Sequence, residues 1–154
     1  MGAGGVLNYR KLLEMGLFDS DKKMIDDLAE VAVEALANEA IKIIAKNAPI
    51  WSGEYVSSIT VETGSSPKSY ARSDSPVIEE PLEPGMGQAA RAAAVAKGKV
   101  ESKVASKTKL IHIGNSAPHA HKVEQKHGIY FGATDVIRSK ADAIVKRAEA
   151  KVKK

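Results

Sequence analysis

The chain has 154 residues, of which 44% are apolar and 5% aromatic, so the composition predicts one domain (residues 1–154) with a modest aliphatic core. It contains no cysteine, which excludes disulfides, thiolate metal sites and a cysteine nucleophile. The formal net charge of +4 is compatible with an anionic partner. No run of apolar residues is long enough to span a bilayer, so we expect no transmembrane helix, and we expect no membrane partner.

Residues 1–18 are predicted to be an N-terminal extension. Its first six residues lack the basic flank and apolar run of a secretory signal, so we expect the chain to stay in the cytoplasm. The clearest helix follows at residues 20–46, where one apolar set from Ile25 to Ile43 and a second from Val33 to Ile44 recur at helical spacing. Pro49 marks its end.

Three strands and a closing helix are predicted downstream. Residues 55–62 alternate as a strand after a turn at Ser52-Gly53, and residues 109–114 form a second strand. Residues 129–131 are read as a third, short strand. The last helix is predicted from Thr134 or Asp135 to residue 154, with a lysine-rich end that complements the helix dipole.

Residues 63–107 form a long insertion between the first two strands. The first half is rich in serine and proline, which is typical of a loop, and residues 88–104 are rich in alanine and lysine and are compatible with a helix. Because a stretch of this length is uncommon inside a compact domain, we interpret it as a flexible arm that orders on a partner. A mobile loop without a role is the alternative.

Charge is unevenly distributed along the chain. Residues 19–46 hold seven acidic side chains against four lysines, whereas residues 85–110 hold six basic side chains against Glu101 alone. Faces of opposite sign favour self-assembly or an oppositely charged partner. The alternative is a solvated surface on which the charges cluster by chance.

Four histidines lie close together in the sequence, at positions 112, 119, 121 and 127. In an extended segment His119 and His121 would place both rings on one face, a spacing that can bind a metal ion. With Glu124 as the only nearby carboxylate, surface histidines in a loop explain the pattern better. No Gly-x-Ser-x-Gly elbow or phosphate loop is present, so we expect no enzymatic activity, no cofactor and no metal site.

Nucleic-acid binding is the alternative function. The basic residues of the insertion and the last helix could neutralise phosphates and give salt-dependent affinity that does not depend on sequence. Aromatic side chains are not interleaved among them, apart from Tyr70 near Lys68 and Arg72, and no sequence-reading motif is visible. The sequence therefore indicates general contact with DNA rather than recognition of a site.

Two motifs in order resemble one family. Residues 47–59, N-A-P-I-W-S-G-E-Y-V-S-S-I, resemble the passage A-P-x-x-T-G-x-L-x-x-S-I that follows a helix in phage neck and tail-completion proteins, the group that includes the lambda-type minor tail protein Z. Residues 113–124, I-G-N-S-A-P-H-A-H-K-V-E, are similar to that family's I-x-N-x-A-P-Y-A-x-x-V-E. A third similarity is the amphipathic helix that closes the chain, predicted here from Thr134 to residue 154, since the same family ends in such a helix.

The resemblance implies an α+β subunit: a long N-terminal helix, a small, mostly antiparallel sheet and a C-terminal helix, with the insertion between strands. It further implies a structural virion protein at the head–tail junction that forms a ring, six-fold by expectation. The partners implied are copies of itself, head-completion or connector proteins, tail-terminator or tail-tube proteins, and DNA in the channel.

Glu124 is expected to face outward, near the basic side of a neighbouring subunit. The predicted interface residues are Trp51, Ser52, Gly53, Tyr55, Asn115, Pro118, His119, His121 and Glu124, with Arg91 and Lys97 from the insertion.

Overall fold

The computed structural model describes residues 19–50, 53–63, 86–108 and 110–152. In chain order, these residues form α1 (Asp19–Asn47), α2 (Glu54–Ser57), β1 (Ile59–Thr63), α3 (Met86–Ala105), a 3-10 turn (Ser106–Thr108), β2 (Ile111–Asn115), α4 (Ala120–His127) and α5 (Ile129–Val152). The fold is α+β, as predicted: α1 packs along α3 and α5, and the two-stranded sheet lies against α3 and α1. The predicted N-terminal extension lies outside the described residues.

Helix α1 confirms the first predicted helix, extended by one residue at each end. It ends at Asn47, since the proline at position 49 disfavours helical geometry at the preceding residue. The second apolar set supplies the core, with Ala37, Ile41 and Ile44 buried. The first set was not the buried face throughout, because Ile25 is 61% exposed.

Helix α3 confirms the helix predicted within the insertion but corrects the idea that this half is an arm. Its buried residues are Ala94, Gly98, Ser102 and Ala105, three or four positions apart, so one face of the helix belongs to the core. A Cβ atom placed on Gly98 would lie 2.8 Å from Ile41 Cγ2, which means that α1 and α3 approach closely at this point. Residues 64–85, the remainder of the predicted arm, lie outside the described residues.

The two strands pair antiparallel, from Ile59 opposite Asn115 to Thr63 opposite Ile111. The strand predicted at 55–62 was wrong at its start, because residues 54–57 form the short helix α2. Gly53 precedes this helix with φ 80°, a left-handed conformation that glycine adopts without a steric penalty. The second predicted strand is confirmed, shifted to Ile111–Asn115.

The third predicted strand was wrong, since residues 129–131 open helix α5. This helix begins at Ile129, five residues before the predicted cap at Thr134. Gly128, with φ 56°, ends α4 and lets the next helix start at once. Thr134 lies inside the helix, where its hydroxyl donates a hydrogen bond to Tyr130 O at 2.9 Å.

The core is small and dominated by aliphatic side chains, as the composition predicts. Its buried cluster joins α1, α2, β1, α3, the turn before α4 and the start of α5, through Ile44, Ala45, Ala48, Tyr55, Val56, Ile59, Ala94, Ala117, Ile129 and Ala133. Tyr55 is its one aromatic member among the described residues. The described helices include none with the length and apolar character needed to cross a membrane.

Candidate functional site

The structure brings the two sequence motifs together. The side-chain amide of Asn115 donates a hydrogen bond to Tyr55 O at 2.7 Å, and Ser116 N donates to Ser58 O at 2.9 Å. These two bonds continue the β1–β2 pairing beyond Ile59 and Asn115. We call the resulting unit, residues 53–59 with residues 115–124, the motif junction.

The second segment of the motif junction is shaped by a turn at Asn115. Its Oδ1 atom accepts a hydrogen bond from Ala117 N at 2.9 Å, a turn in which the side chain replaces a backbone acceptor. Ala117 is buried, and Pro118 follows it half-buried at the entry to α4. Asn115 thus ends the second strand, as predicted, and fixes the chain direction on both sides.

Tyr55 is the buried centre of the motif junction. Its side chain is 3% exposed, and its ring centroid lies 6.2 Å from that of His119. The hydroxyl has no hydrogen-bond partner among the described residues. Burial, followed by the negative charge of Glu124, raises the pKa of Tyr55 from 10.0 to about 12.

Glu124 stabilises the start of α5. Its carboxylate accepts hydrogen bonds from Tyr130 N at 3.0 Å and from Phe131 N at 3.1 Å, two amides that have no partner within the helix. A negative charge at this position also interacts favourably with the helix dipole. The carboxylate of Glu124, which was expected to face a neighbouring subunit, is thus bonded within the chain at a partly exposed position.

Tyr130 ties this helix start to the sheet. Its hydroxyl donates a hydrogen bond to Gly114 O at 2.8 Å, in strand β2. The next residue, Phe131, is 73% exposed, so one large aromatic side chain projects beside the motif junction. Phe131 is one of only three Trp and Phe residues in the sequence, so its exposure is informative, but it was not among the predicted interface residues.

The histidine pair does not lie on an extended segment, which corrects the spacing argument for a metal site. His119 is half-buried immediately before α4, with Nδ1 3.8 Å from Glu54 Oε2, whereas His121 is exposed on the first turn of that helix. Among the described residues, the histidines and carboxylates do not form a group of three or more able to hold a metal ion.

Seven of the predicted interface residues divide into two groups, while Pro118 and His119, half-buried just before α4, belong to neither. Gly53 and Tyr55 are buried and Asn115 and Glu124 bond within the chain, so these four hold the fold together. Arg91 belongs with them, since its guanidinium donates to Ala48 O at 2.9 Å.

The second group reaches the surface. His121 and Lys97 are exposed, and Lys97 lies 3.8 Å from Glu101. Trp51 and Ser52 lie outside the described residues.

A groove between α1 and α3 was missed by the sequence analysis. It has a volume of about 910 Å³, and we call it the α1–α3 groove. Lys42, Ala45 and Lys46 line it from α1, and Gln88, Arg91, Ala92, Val95, Ala96, Lys99 and Val100 line it from α3. The regular spacing of alanine and valine in α3 was a usable signal, but the sequence did not show which face would remain uncovered.

Comparison of the chain with protein-family models, with curated proteins and with solved structures gave no match.

Proposed function

We propose that the chain is a structural subunit of a tailed-phage virion, which assembles into a ring at the junction of head and tail. The observation that carries this proposal is the motif junction. The two segments that resemble the neck and tail-completion family are about 60 residues apart, and direct hydrogen bonds join them. Chance similarity at two unrelated turns would not require such contact.

The bonds within the motif junction suit a subunit with a fixed shape. Asn115 binds the α2 segment, Glu124 caps α5, and Tyr130 connects α5 to β2. A closed ring requires the same angle between every pair of neighbours, and rigid elements around an interface keep that angle constant.

The exposed residues beside the motif junction are the proposed contact surface. Phe131 and His121 are exposed, and aromatic side chains are enriched at protein–protein interfaces relative to the rest of the surface. Lys97 belongs to a different, basic region on α3. We therefore expect Phe131, rather than the buried Tyr55, to contact the neighbouring copy.

Immunogold labelling of intact virions tests the location, with an antibody against this chain and negative-stain electron microscopy. Gold at the head–tail junction is the expected result. Labelling of the tail shaft or tip would keep a virion role but reject the neck assignment. Unlabelled particles in a lysate that contains abundant protein would reject the proposal.

A second measurement, on the purified chain, distinguishes the proposed function from the alternative of a small basic nucleic-acid-binding protein. It predicts a monomer whose affinity for duplex DNA falls steeply with salt concentration. The proposed function predicts concentration-dependent assembly, observed by sedimentation, that is weakened at least tenfold by Phe131→Ser. The matched control is Ile25→Ser, which changes another exposed apolar residue remote in sequence.

A further inference from the structure

The α1–α3 groove combines an apolar floor with a basic rim. The floor consists of small or branched aliphatic side chains, Ala45, Ala92, Val95, Ala96 and Val100. Among the described residues that line the groove, four are cations, Lys42, Lys46, Arg91 and Lys99, and none is acidic. A surface of this kind attracts a ligand that is both apolar and anionic.

The rim is only partly neutralised from within the chain. Lys42 lies 3.7 Å from Glu39, in an ion pair between exposed or half-exposed side chains that contributes little. Among the described residues, Lys46 and Lys99 form no such pair, and both are exposed. Two lysines on opposite helices therefore remain available to carboxylates of a partner.

The floor continues along the outer face of α3. Val100 is 66% exposed and Val104 is 68% exposed, one turn further along the helix. Ala89, Ala93 and Ala96 are exposed on earlier turns of the same face, opposite the buried Ala94 and Gly98. From residue 89 to residue 104 this face extends for about 22 Å at 1.5 Å per residue, the length of roughly four helical turns.

We propose that the α1–α3 groove binds an amphipathic α-helix of a different protein, with an apolar stripe flanked by acidic residues. The stripe would lie on the alanines and valines, and the carboxylates would reach Lys46 and Lys99. An amphipathic helix lying in an apolar groove is a common mode of recognition. This inference goes beyond the proposed ring. Assembly of the ring does not require a helix in the α1–α3 groove, and binding of a helix there does not require the ring.

The charge and the apolar surface of the groove favour an amphipathic helix over two other occupants, a second copy of the chain and duplex DNA. A second copy that presented the same groove would place lysines against lysines, which is unfavourable. Binding through another surface of a second copy is an outcome that the sedimentation test below separates. Duplex DNA would satisfy the lysines but leave Val95, Ala96 and Val100 without an apolar partner. A helix with acidic flanks complements both the rim and the floor.

Binding of synthetic peptides tests the inference. The probes are two fluorescein-labelled 18-residue helices that share a leucine and alanine stripe, one with glutamate flanks and one with lysine flanks. We expect fluorescence anisotropy to show at least tenfold tighter binding of the glutamate peptide by the full chain. Equal binding of the two peptides, or no binding of the glutamate peptide, would overturn the proposal.

Two matched pairs of variants locate the bound peptide. Lys46→Glu with Lys99→Glu should weaken binding of the glutamate peptide at least tenfold, whereas Lys122→Glu with Lys126→Glu, on exposed residues of α4, should leave it unchanged. Ala96→Gln should block the floor, whereas Ala143→Gln, exposed on α5 and away from the groove, should not.

Competition and sedimentation distinguish the other occupants. Duplex DNA that displaces the peptide, and whose own binding is lost in the Lys46 and Lys99 variant but kept in Ala96→Gln, would assign the groove to nucleic acid. Self-association that is lost in Ala96→Gln but kept in Ala143→Gln would assign it to a second copy. Either result would overturn the proposal, and neither bears on where the protein lies in a virion.

Discussion

The contact between α1 and α3 and the motif junction hold distant parts of the chain together in different ways. In the helix contact Gly98 lets the backbone of α3 approach Ile41, so the contact depends on the absence of a side chain. In the motif junction Asn115 and Glu124 supply directed hydrogen bonds to backbone atoms. The first should be sensitive to one added methyl group, the second to the loss of one polar group.

Among the single substitutions, the largest effect is expected from Gly98→Ala, compared with the same change at Gly132. Overpacking against the fully buried Ile41 should cost about 1–3 kcal/mol of the free energy of unfolding, and the gain in helix propensity of about 0.5–1 kcal/mol offsets this only in part. Gly132 lies in α5 with open space around its Cα, so alanine there should raise it by about 0.5–1 kcal/mol. Urea unfolding of both variants measures the difference, and equal stabilities would contradict a close approach of α1 and α3.

Much of the helical fold was predictable because periodicity is local. The spacing of Ile41 and Ile44 in α1, and of alanines in α3, is enough to indicate helices. The short helix α2 was not predictable from alternation, since it depends on the left-handed Gly53. The start of α5 at Ile129 depends on Glu124, whose carboxylate bonds across Gly128 to amides six and seven residues away.

The sequence identified several residues of the candidate site but did not predict what their side chains do. Asn115, Tyr55 and Glu124 stand out in the motifs, but their patterns do not reveal whether the side chains point to a neighbour or into the fold. The α1–α3 groove required a fact that the sequence lacks, namely that Lys46 in α1 and Lys99 in α3 lie on opposite rims. Such pairings over 50 residues depend on how the helices pack.

Tyr55 provides the next test, through pH. Its phenol ionises near pH 10 in the unfolded chain but has a pKa of about 12 in the folded protein, so the neutral form stabilises the fold. This contribution should be complete below pH 10 and should be lost between pH 10 and 12, a decrease of about 2–3 kcal/mol. Urea unfolding from pH 8 to 12 measures it.

Tyr55→Phe is the control, because it keeps the ring and removes the ionisable group. It should lack this alkaline decrease while keeping any loss that comes from the lysines. At pH 8 it should be at least as stable as the natural chain, since the buried hydroxyl has no partner among the described residues. A decrease of equal size in both proteins would show that Tyr55 does not ionise from a buried position.

The smallest effect is expected from Glu124→Ala, which removes the carboxylate at the start of α5. The free energy of unfolding should fall by about 1 kcal/mol, as for other lost helix caps, and the amides of Tyr130 and Phe131 should exchange their hydrogens faster. Glu101→Ala is the matched control, since its ion pair with Lys97 lies at the surface and should contribute at most about 0.5 kcal/mol. Glu124→Ala has a second consequence, at Tyr55. Its pKa should fall, because the negative charge of Glu124 that helps to raise it is gone. A faster exchange confined to the two amides would establish Glu124 as a structural cap, whereas unchanged exchange with lost self-association would restore the outward role expected from the sequence.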